Sequence, residues 1–437
     1  MSDKRCLGNP RPFLEGLFQT AVAAAHPAQF LPATLPRAPT TGRLVILAAG
    51  KAAGSMAEAA ERYYLDSGFP KDRLSGIAVA RHGYGRPLRM IEMVEAGHPL
   101  PDQAGLDATA RTLALAEAAG PDDLVLVLMS GGASANWIAP APGLSLTEKQ
   151  AITRVLLRSG ASIGEINALR KHLSRIKGGR LARLASPARV ITIGISDVPG
   201  DDPAVIGSGP TVPDPTTLAD ACAIVARYKL DLPAAAQAIL NDPANETPKP
   251  NDPAFRTIDY RLAARPLDAF KAAEAAIAAK GYECIFLGDQ LEGEARDVAA
   301  QQATIARDLS AQRRRAVILS GGELTVTIRG QGRGGPNQEF ALALATALDG
   351  TAHIAAIAAD TDGTDGGAGS ADDPAGAYVD GTSAARARRL GIDPIKYRDD
   401  NNSTAFFAAL GDLVTPGPTF TNVNDFRAIL VDHVDTA

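Results

Sequence analysis

Three short apolar runs in this chain break directly into glycine, serine and acid. Leu124–Met129 is followed by Ser130, Gly131, Gly132, Ala133 and Ser134. Residues 190–195 are followed by Ser196, Asp197, Gly200, Asp201 and Asp202, and then by Gly207, Ser208 and Gly209. Residues 316–319 are followed by Ser320, Gly321, Gly322 and Glu323. Glycine lets a backbone come close to an anion, and the N–H groups of such turns can wrap phosphate oxygens. Carboxylates beside them can hold Mg²⁺. Ser130, Gly131, Gly132, Ser134, Gly207, Ser208, Gly209, Ser320, Gly321 and Gly322 are therefore the candidate contacts for nucleotide phosphates. Glycine turns that recur at strand ends beside acids point to phosphoryl transfer.

Charged residues in unusual surroundings add to this set. Lys51 follows an apolar run and Gly50, where a helix is expected to begin. A helix N-terminus attracts anions, so a lysine there is well placed for a phosphate or carboxylate. The stretch lacks the first glycine and the spacing of a Walker A loop. Arg333 stands among Gly330, Gly332, Gly334 and Gly335. With little to pack against, it is presented to a ligand, and guanidinium clamps phosphate bidentately. Asp360 and Asp362 alternate with threonine and glycine in DTDGTDGG, which suggests a metal loop, although the EF-hand spacing fails. Arg170, Lys171, Arg175, Lys177, Arg180 and Arg183 form a dense positive set, some of which can neutralise substrate carboxylate and phosphates. His82 and His98 sit beside glycine and proline and read as turn-stabilising residues.

These residues need a scaffold of alternating strands and helices. Residues 44–48, 77–80, 90–95, Leu124–Met129 and 190–195 read as strands, and Leu124–Met129 and 190–195 as fully buried ones. Helices are expected between them, over 103–118, 147–158 and 216–228. Residues 232–259 carry prolines and Asn/Asp that break periodicity, so a domain boundary is expected there, with domains at 1–245 and 255–437. The second half alternates again, with strands at 283–287, 316–319 and 354–358, an alternating strand in LTVTIRG, and a last strand at 428–431. DDNNST reads as an N-cap cluster for a helix ending at 410. The fold class is α/β, in two α/β domains. Open parallel sheets bind ligands at the carboxyl ends of their strands, which is where the glycine turns fall.

Composition narrows the alternatives. The 437 residues carry 44 basic and 49 acidic side chains, so nothing favours nucleic acid or a membrane surface as partner. Aromatics make up only 5%, too few for base-stacking platforms. Cys6, Cys222 and Cys284 are odd in number and widely spaced, with no metal-ligand or disulfide pattern. Free thiols, no h-region before a cleavage site and no apolar stretch of the ~20 residues a membrane helix needs together suggest a cytoplasmic protein. Phe13, Leu14, Leu17, Phe18 and Ala21 repeat at helical spacing.

Taken together, the motifs resemble those of the class II glycerate 2-kinases, whose members are often labelled hydroxypyruvate reductases. The matching blocks are GKAA (50–53), HPLPD (98–102), SGGASA (130–135), GEIN (164–167), RKHLSRIKGGRLA (170–182), SDVPGDDPAVIGSGPTVPD (196–214), SGGELTVT (320–327), GRGGPNQE (332–339), DTDGTDG (360–366) and DNNST (400–404). The resemblance implies a larger N-terminal Rossmann-like domain, a smaller C-terminal α/β domain and an active site in the cleft between them. It implies ATP-dependent phosphorylation of D-glycerate at its 2-hydroxyl with Mg²⁺, by a monomer or homodimer. The family's catalytic lysine falls on Lys51 and its catalytic arginine on Arg333. Asp197 is expected to contact the metal or to orient the glycerate hydroxyl. Many members carry Ser-Gly-Gly-Gly-Ser at the first turn, where this chain has Ala133 in place of the third glycine.

Two other classes compete. A nicotinamide-dependent hydroxypyruvate reductase should show G-x-G-x-x-G after its first strand, and this chain has Gly50-Lys51-Ala52-Ala53-Gly54. A sugar-acid or nucleotide sensor should add a DNA-reading or partner-binding module, and none is visible.

Overall fold

The computed structural model describes residues 7–433 apart from residue 368. The chain forms two compact units. One is Phe30–Ala264; the other joins the chain from Arg265 onward to the segment before Phe30. Cys6 lies outside the described residues, and Cys222 and Cys284 are free thiols. No helix among the described residues is long and apolar enough to cross a membrane.

The unit Phe30–Ala264 is built on six parallel strands: β1 (Leu44–Ala49), β2 (Leu74–Arg81), β3 (Glu92–Ala96), β4 (Leu124–Met129), β5 (Arg189–Ile195) and β6 (Ile258–Ala264). Their order is β3-β2-β1-β4-β5-β6. Strands β1 and β4 are buried along their whole length, which is why they read as unbroken apolar runs. Val45, Leu47, Val125 and Val127 pack with Ala108, Leu113 and Ala116 of the helix Gln103–Glu117. That helix starts where the Asp102 carboxylate accepts the Gly105 N–H at 2.9 Å. Serine N-caps with reciprocal glutamates, Ser145 with Glu148 and Ser162 with Glu165, start the helices Leu146–Arg158 and Ile163–His172. The strand order reverses between β1 and β4, the crevice where ligands enter open α/β sheets.

The other unit carries β7 (Glu283–Phe286), β8 (Gly293–Glu294), β9 (Arg315–Ser320), β10 (Leu324–Thr325), β11 (Ile354–Asp360), β12 (Gly376–Asp380), β13 (Leu413–Val414) and β14 (Asp425–Asp432). Its main sheet is mixed, in the order β13-β12-β11-β14-β9-β7, with only β7 and β9 parallel. The N-terminal helix Arg11–Ala24 packs against Pro266–Ala279, β11 and β14. Phe13 stacks on Tyr282 with ring centroids 5.4 Å apart, and Phe18 meets Phe426 at 6.2 Å.

Three details differ from the sequence expectation. The break expected at residues 245–255 lies inside the first unit: β6 follows it as the sixth strand of the parallel sheet, and the helix Arg11–Ala24 belongs with the C-terminal unit. Of the alternating LTVTIRG, only Leu324–Thr325 is strand, paired to the two-residue β8. Ile328 is 73% exposed, so the alternation has no second layer to bury it. Asn402 precedes the helix Ser403–Leu410 without a side-chain cap. The DDNNST cluster instead holds the glycine loop: Asn401 Oδ1 accepts the Arg329 and Gly330 N–H groups at 2.7 and 3.1 Å, and Asp400 Oδ1 accepts Gln331 N–H at 2.9 Å.

Candidate active site

The register of β1 and β4 puts Ala49 beside Met129, so the two chains leave the sheet together. The Lys51 N–H donates to the Gly131 carbonyl at 2.8 Å, and the Ala52 N–H donates to Ser130 Oγ at 2.9 Å. Gly50 makes this possible. Its φ is +117°, and a Cβ there would lie 2.4 Å from the Ser130 carbonyl oxygen. Gly50→Ala should therefore destabilise the protein by about 1–3 kcal/mol, seen as a lower urea midpoint.

Gly132, with φ +84°, begins a short helix, Ala133–Asn136. A Cβ at Gly132 would sit 3.1 Å from the His98 ring and 3.2 Å from Lys51 Cγ, so both side chains lie over this glycine. Ser134 Oγ is 2.7 Å from Ser208 Oγ, which ties the first turn to the Gly207-Ser208-Gly209 loop. All three loop residues have φ near +60°, Ser208 included. A non-glycine residue held there is a strained feature of the kind found at functional loops. The Gly178 and Gly179 N–H groups support it by donating to the Ser208 and Gly209 carbonyls at 3.0 and 2.7 Å. Ala133 is buried, and its methyl lies 3.2 Å from where a Cβ on Gly207 would stand. That methyl is taken up in packing beneath the loop, so the substitution for glycine leaves the turn intact.

A cavity of about 180 Å³ opens beside these turns, lined by His98, Gly132, Ser134, Lys149, Arg170 and Lys177 among others. Lys177 is 2% exposed, and its ammonium donates to the Ser134 carbonyl at 2.8 Å and the Trp137 carbonyl at 3.4 Å. Lys149 is 3% exposed and donates to the Leu173 carbonyl at 3.1 Å. Burial and the neighbouring Arg170 push Lys149 down to about 7. Burial, with Lys149 and Arg170 close by, holds Lys177 well below the ordinary lysine value, and burial also lowers Arg170. Three cations gathered without an anion among them disfavour their own charged forms, and an anionic ligand would restore them.

Asp197 follows β5 and is half-buried. Burial first, then the charges of Asp202 and Asp197, raise Tyr260, whose hydroxyl is buried with no hydrogen-bond partner among the described residues.

The other predicted residues lie in the C-terminal unit. Ser320 is buried and bonds to Gln302 at 3.0 Å. Gly321 is packed against the Phe270 ring, and a Cβ on Gly322 would lie 2.2 Å from the Leu291 backbone. These two glycines close internal packing. In the loop around Arg333, a Cβ on Gly332 or Gly334 would meet Asn402 at 2.4 Å or Ser403 Oγ at 2.0 Å. The loop lies flush on its neighbour, and Arg333 projects from it, 63% exposed, with Nη2 3.1 Å from Asp373 Oδ1. Asp360 Oδ1 accepts Asp362 N–H at 2.9 Å; Asp362 is 1% exposed and its Oδ1 accepts the Thr364 N–H and hydroxyl at 2.7 and 3.0 Å. Beneath them, Asp365 accepts the Asn337 and Gln338 backbone N–H groups at 3.0 and 2.8 Å, and burial followed by the charge of Asp425 pushes it up to about 7. Asn337 Nδ2 bonds Asp425 at 2.6 Å, and Asp425 pairs with buried Arg427 at 2.9 Å.

Sequence reasoning missed Lys149 and read His98 as a turn residue. Lys149 stands three and seven positions before Ile152 and Leu156, on the buried stripe of its own helix. A cation on an apolar stripe was the available signal. His82 does serve the turn: its Nε2 is 2.8 Å from the Asp102 carboxylate.

Residues 13–241 match the model of a domain of unknown function (DUF4147), and residues 316–425 match that of the MOFRL family. The chain is 36% identical over 414 residues to D-glycerate 2-kinase of Thermotoga maritima, covering 94% of this chain and 95% of that protein. It is 37% identical over 401 residues to glycerate 2-kinase of Pyrococcus horikoshii, covering 89% of this chain and 88% of that one. A protein of Agrobacterium vitis provisionally named hydroxypyruvate reductase is 49% identical over 429 residues, covering 96% and 94%. The crystal structure of glycerate kinase from T. maritima superposes with a TM-score of 0.82 at 35% identity, covering 97% of this chain and all of that one. With both halves matched by family models and relatives aligned along nearly its whole length, the chain belongs to the glycerate 2-kinase family.

Proposed function

We infer that the chain is a phosphotransferase that moves the γ-phosphoryl group of ATP to the 2-hydroxyl of D-glycerate. The observation that carries this is the set of cations, buried Lys149 and Lys177 with half-buried Arg170, gathered at the glycine and serine turns where the strand order reverses. Phosphoryl transfer needs reactants positioned and charge neutralised more than it needs covalent chemistry.

In this reading the turns at Ser130, Gly131, Gly132 and Ser134 and at Gly207, Ser208 and Gly209 hold phosphate oxygens. Lys51 stabilises the charge on the transferred group, and Arg333 is the guanidinium assigned to phosphate oxygens. Lys149 and Arg170 hold anionic oxygens of the ligands. Ser320, Gly321 and Gly322 act through the packing of their unit rather than through phosphate. Mg²⁺, when bound, neutralises phosphate oxygens. Mg²⁺ commonly takes one or two protein carboxylates and completes its shell with phosphate and water. Asp197 is the carboxylate assigned to that contact or to the glycerate hydroxyl. Asp360 is the second candidate, and Asp362 supports its turn.

The pH dependence follows from Lys149. Its folded value of about 7 lies below the ordinary lysine value of 10.5, so the free site loses this charge as pH rises through 7. KM for the anionic ligand that Lys149 holds is expected to rise above pH 7 in the wild type. Lys149→Met should show a high KM with a flattened slope; an unchanged KM would remove Lys149 from binding.

The reductase reading has two relatives' provisional names in its favour, at 49% and 48% identity. The six-strand order is also one that dinucleotide enzymes use. Against it, with Gly50 as the first glycine the fingerprint's second and third fall on Ala52 and Ser55, and the Gly50 position is closed by Ser130 rather than open to a pyrophosphate. The two readings separate in one experiment: ADP release with ATP, Mg²⁺ and D-glycerate is expected, while NADH with hydroxypyruvate should stay unoxidised. NADH oxidation without ADP release would reverse the conclusion.

A further inference from the structure

The dense positive set splits in two. Arg170 and Lys177 line the cavity beside Gly132, whereas Arg175, Arg180 and Arg183 line a different and larger one, of about 810 Å³, in the same unit. Nothing in the proposed reaction uses this second cavity. Arg175 gives its Nε to the Pro140 carbonyl at 3.2 Å and makes no ion pair among the described residues. Arg180 gives Nη2 to the Asn245 carbonyl at 2.6 Å and also makes no ion pair; its Nε is buried with no hydrogen-bond partner among the described residues. Arg183 reaches Asp252 only at 3.6 Å. Arg175 and Arg183 are exposed where they line the cavity, so their guanidinium groups can meet an anion there. Burial, then Arg183, lowers Arg180 to about 10 against the opposing charges of Glu246 and Asp214.

The rest of the lining narrows the ligand. Leu113, Leu184 and Ile239 give the cavity an apolar wall, and Glu117 and Asp242 give it carboxylate acceptors. Inorganic phosphate would use the guanidinium groups and leave the wall empty. A nucleoside monophosphate uses all three: phosphate on the arginines, ribose hydroxyls on the carboxylates, and the base on the apolar wall. The volume lies in the range of small-molecule sites.

We propose that the cavity between Arg175, Arg180, Arg183 and the wall of Leu113, Leu184 and Ile239 is a second ligand site, separate from the catalytic cavity, for a nucleoside monophosphate. Residues 174–180 serve both places: Lys177 points into the catalytic cavity while Arg175 and Arg180 line the second.

The test is binding of AMP to the full chain by titration calorimetry, which does not depend on the kinase reading. Wild type should bind AMP. The double variant Arg175→Gln/Arg183→Gln, which changes two exposed side chains, should weaken it at least about tenfold with its circular dichroism and activity without AMP unchanged. Lys149→Met should bind AMP as wild type does. The proposal is overturned if folded wild-type protein binds no AMP at millimolar concentration. It is also overturned if the arginine variant binds AMP normally, or if Lys149→Met is the one that loses it, which would place AMP in the catalytic cavity.

Discussion

Lys51→Ala is expected to lower kcat for glycerate phosphorylation about 10²- to 10³-fold while the protein stays folded. The backbone at this position is held without the side chain, because the Lys51 N–H is bonded to the Gly131 carbonyl and the Ala52 N–H to Ser130. Truncation thus removes a half-buried alkyl chain and its ammonium and leaves the turn in place. If the ammonium acts on charge that develops during transfer, kcat falls and the substrate KM values move little. A variant with normal kcat would take Lys51 out of the mechanism, and one with only a raised KM would make it a binding group.

Arg333→Ala should cost a similar factor in kcat, about 10²- to 10³-fold. The case for a functional arginine is that its folding role is small. The side chain is 63% exposed, and its one ion pair among the described residues is to Asp373, a buried carboxylate that also accepts the Ser370 N–H at 2.9 Å and so keeps a partner without the arginine; the half-exposed pair is worth about 1 kcal/mol. Gly330, Gly332 and Gly334 lie against residues 400–403 and Gly335 against Asp365, so the loop does not need the guanidinium to keep its shape. Thermal stability within about 1 kcal/mol of wild type together with lost activity is the expected result. Arg333→Lys keeps the charge but not the fork, and partial recovery is expected only if charge matters more than bidentate geometry. Wild-type activity in Arg333→Ala would show that this exposed arginine has no part in the reaction.

How much of this the sequence disclosed depends on what makes each element visible. β1, β4 and β5 are buried, so their residues read as apolar runs ending at Gly50, Ser130 and Ser196. β6, IDYRLAA, is an edge strand with all but its last residue only half-buried, and its charges hid it where the stretch 232–259, taken for a boundary, runs into the expected second domain. The helix Arg11–Ala24 was visible as a stripe, but nothing local says that its stripe packs on Pro266–Ala279 at the other end of the chain. At the site, glycine turns announce themselves because few residues can replace them. Lys149 did not, and Lys177 stood out only as one of a basic run, since a lysine in a helix or a basic run normally faces water. Only the fold shows that their stems run inward to carbonyls of residues 134, 137 and 173. The pattern Ser-Gly-Gly at 130–132 and again at 320–322 looked like one device used twice. The first glycine turn lies beneath Lys51 and His98, while the second is filled by Phe270 and the Leu291 backbone.

The central claim is phosphorylation of glycerate at its 2-hydroxyl. The most direct measurement is to supply ATP, Mg²⁺ and D-glycerate to the full chain and couple product formation to enolase, which acts on 2-phosphoglycerate, without a mutase. An immediate signal that depends on both ATP and D-glycerate is the predicted result. A signal that appears only after mutase is added would contradict the position of transfer, and no signal with or without mutase would contradict the kinase assignment itself.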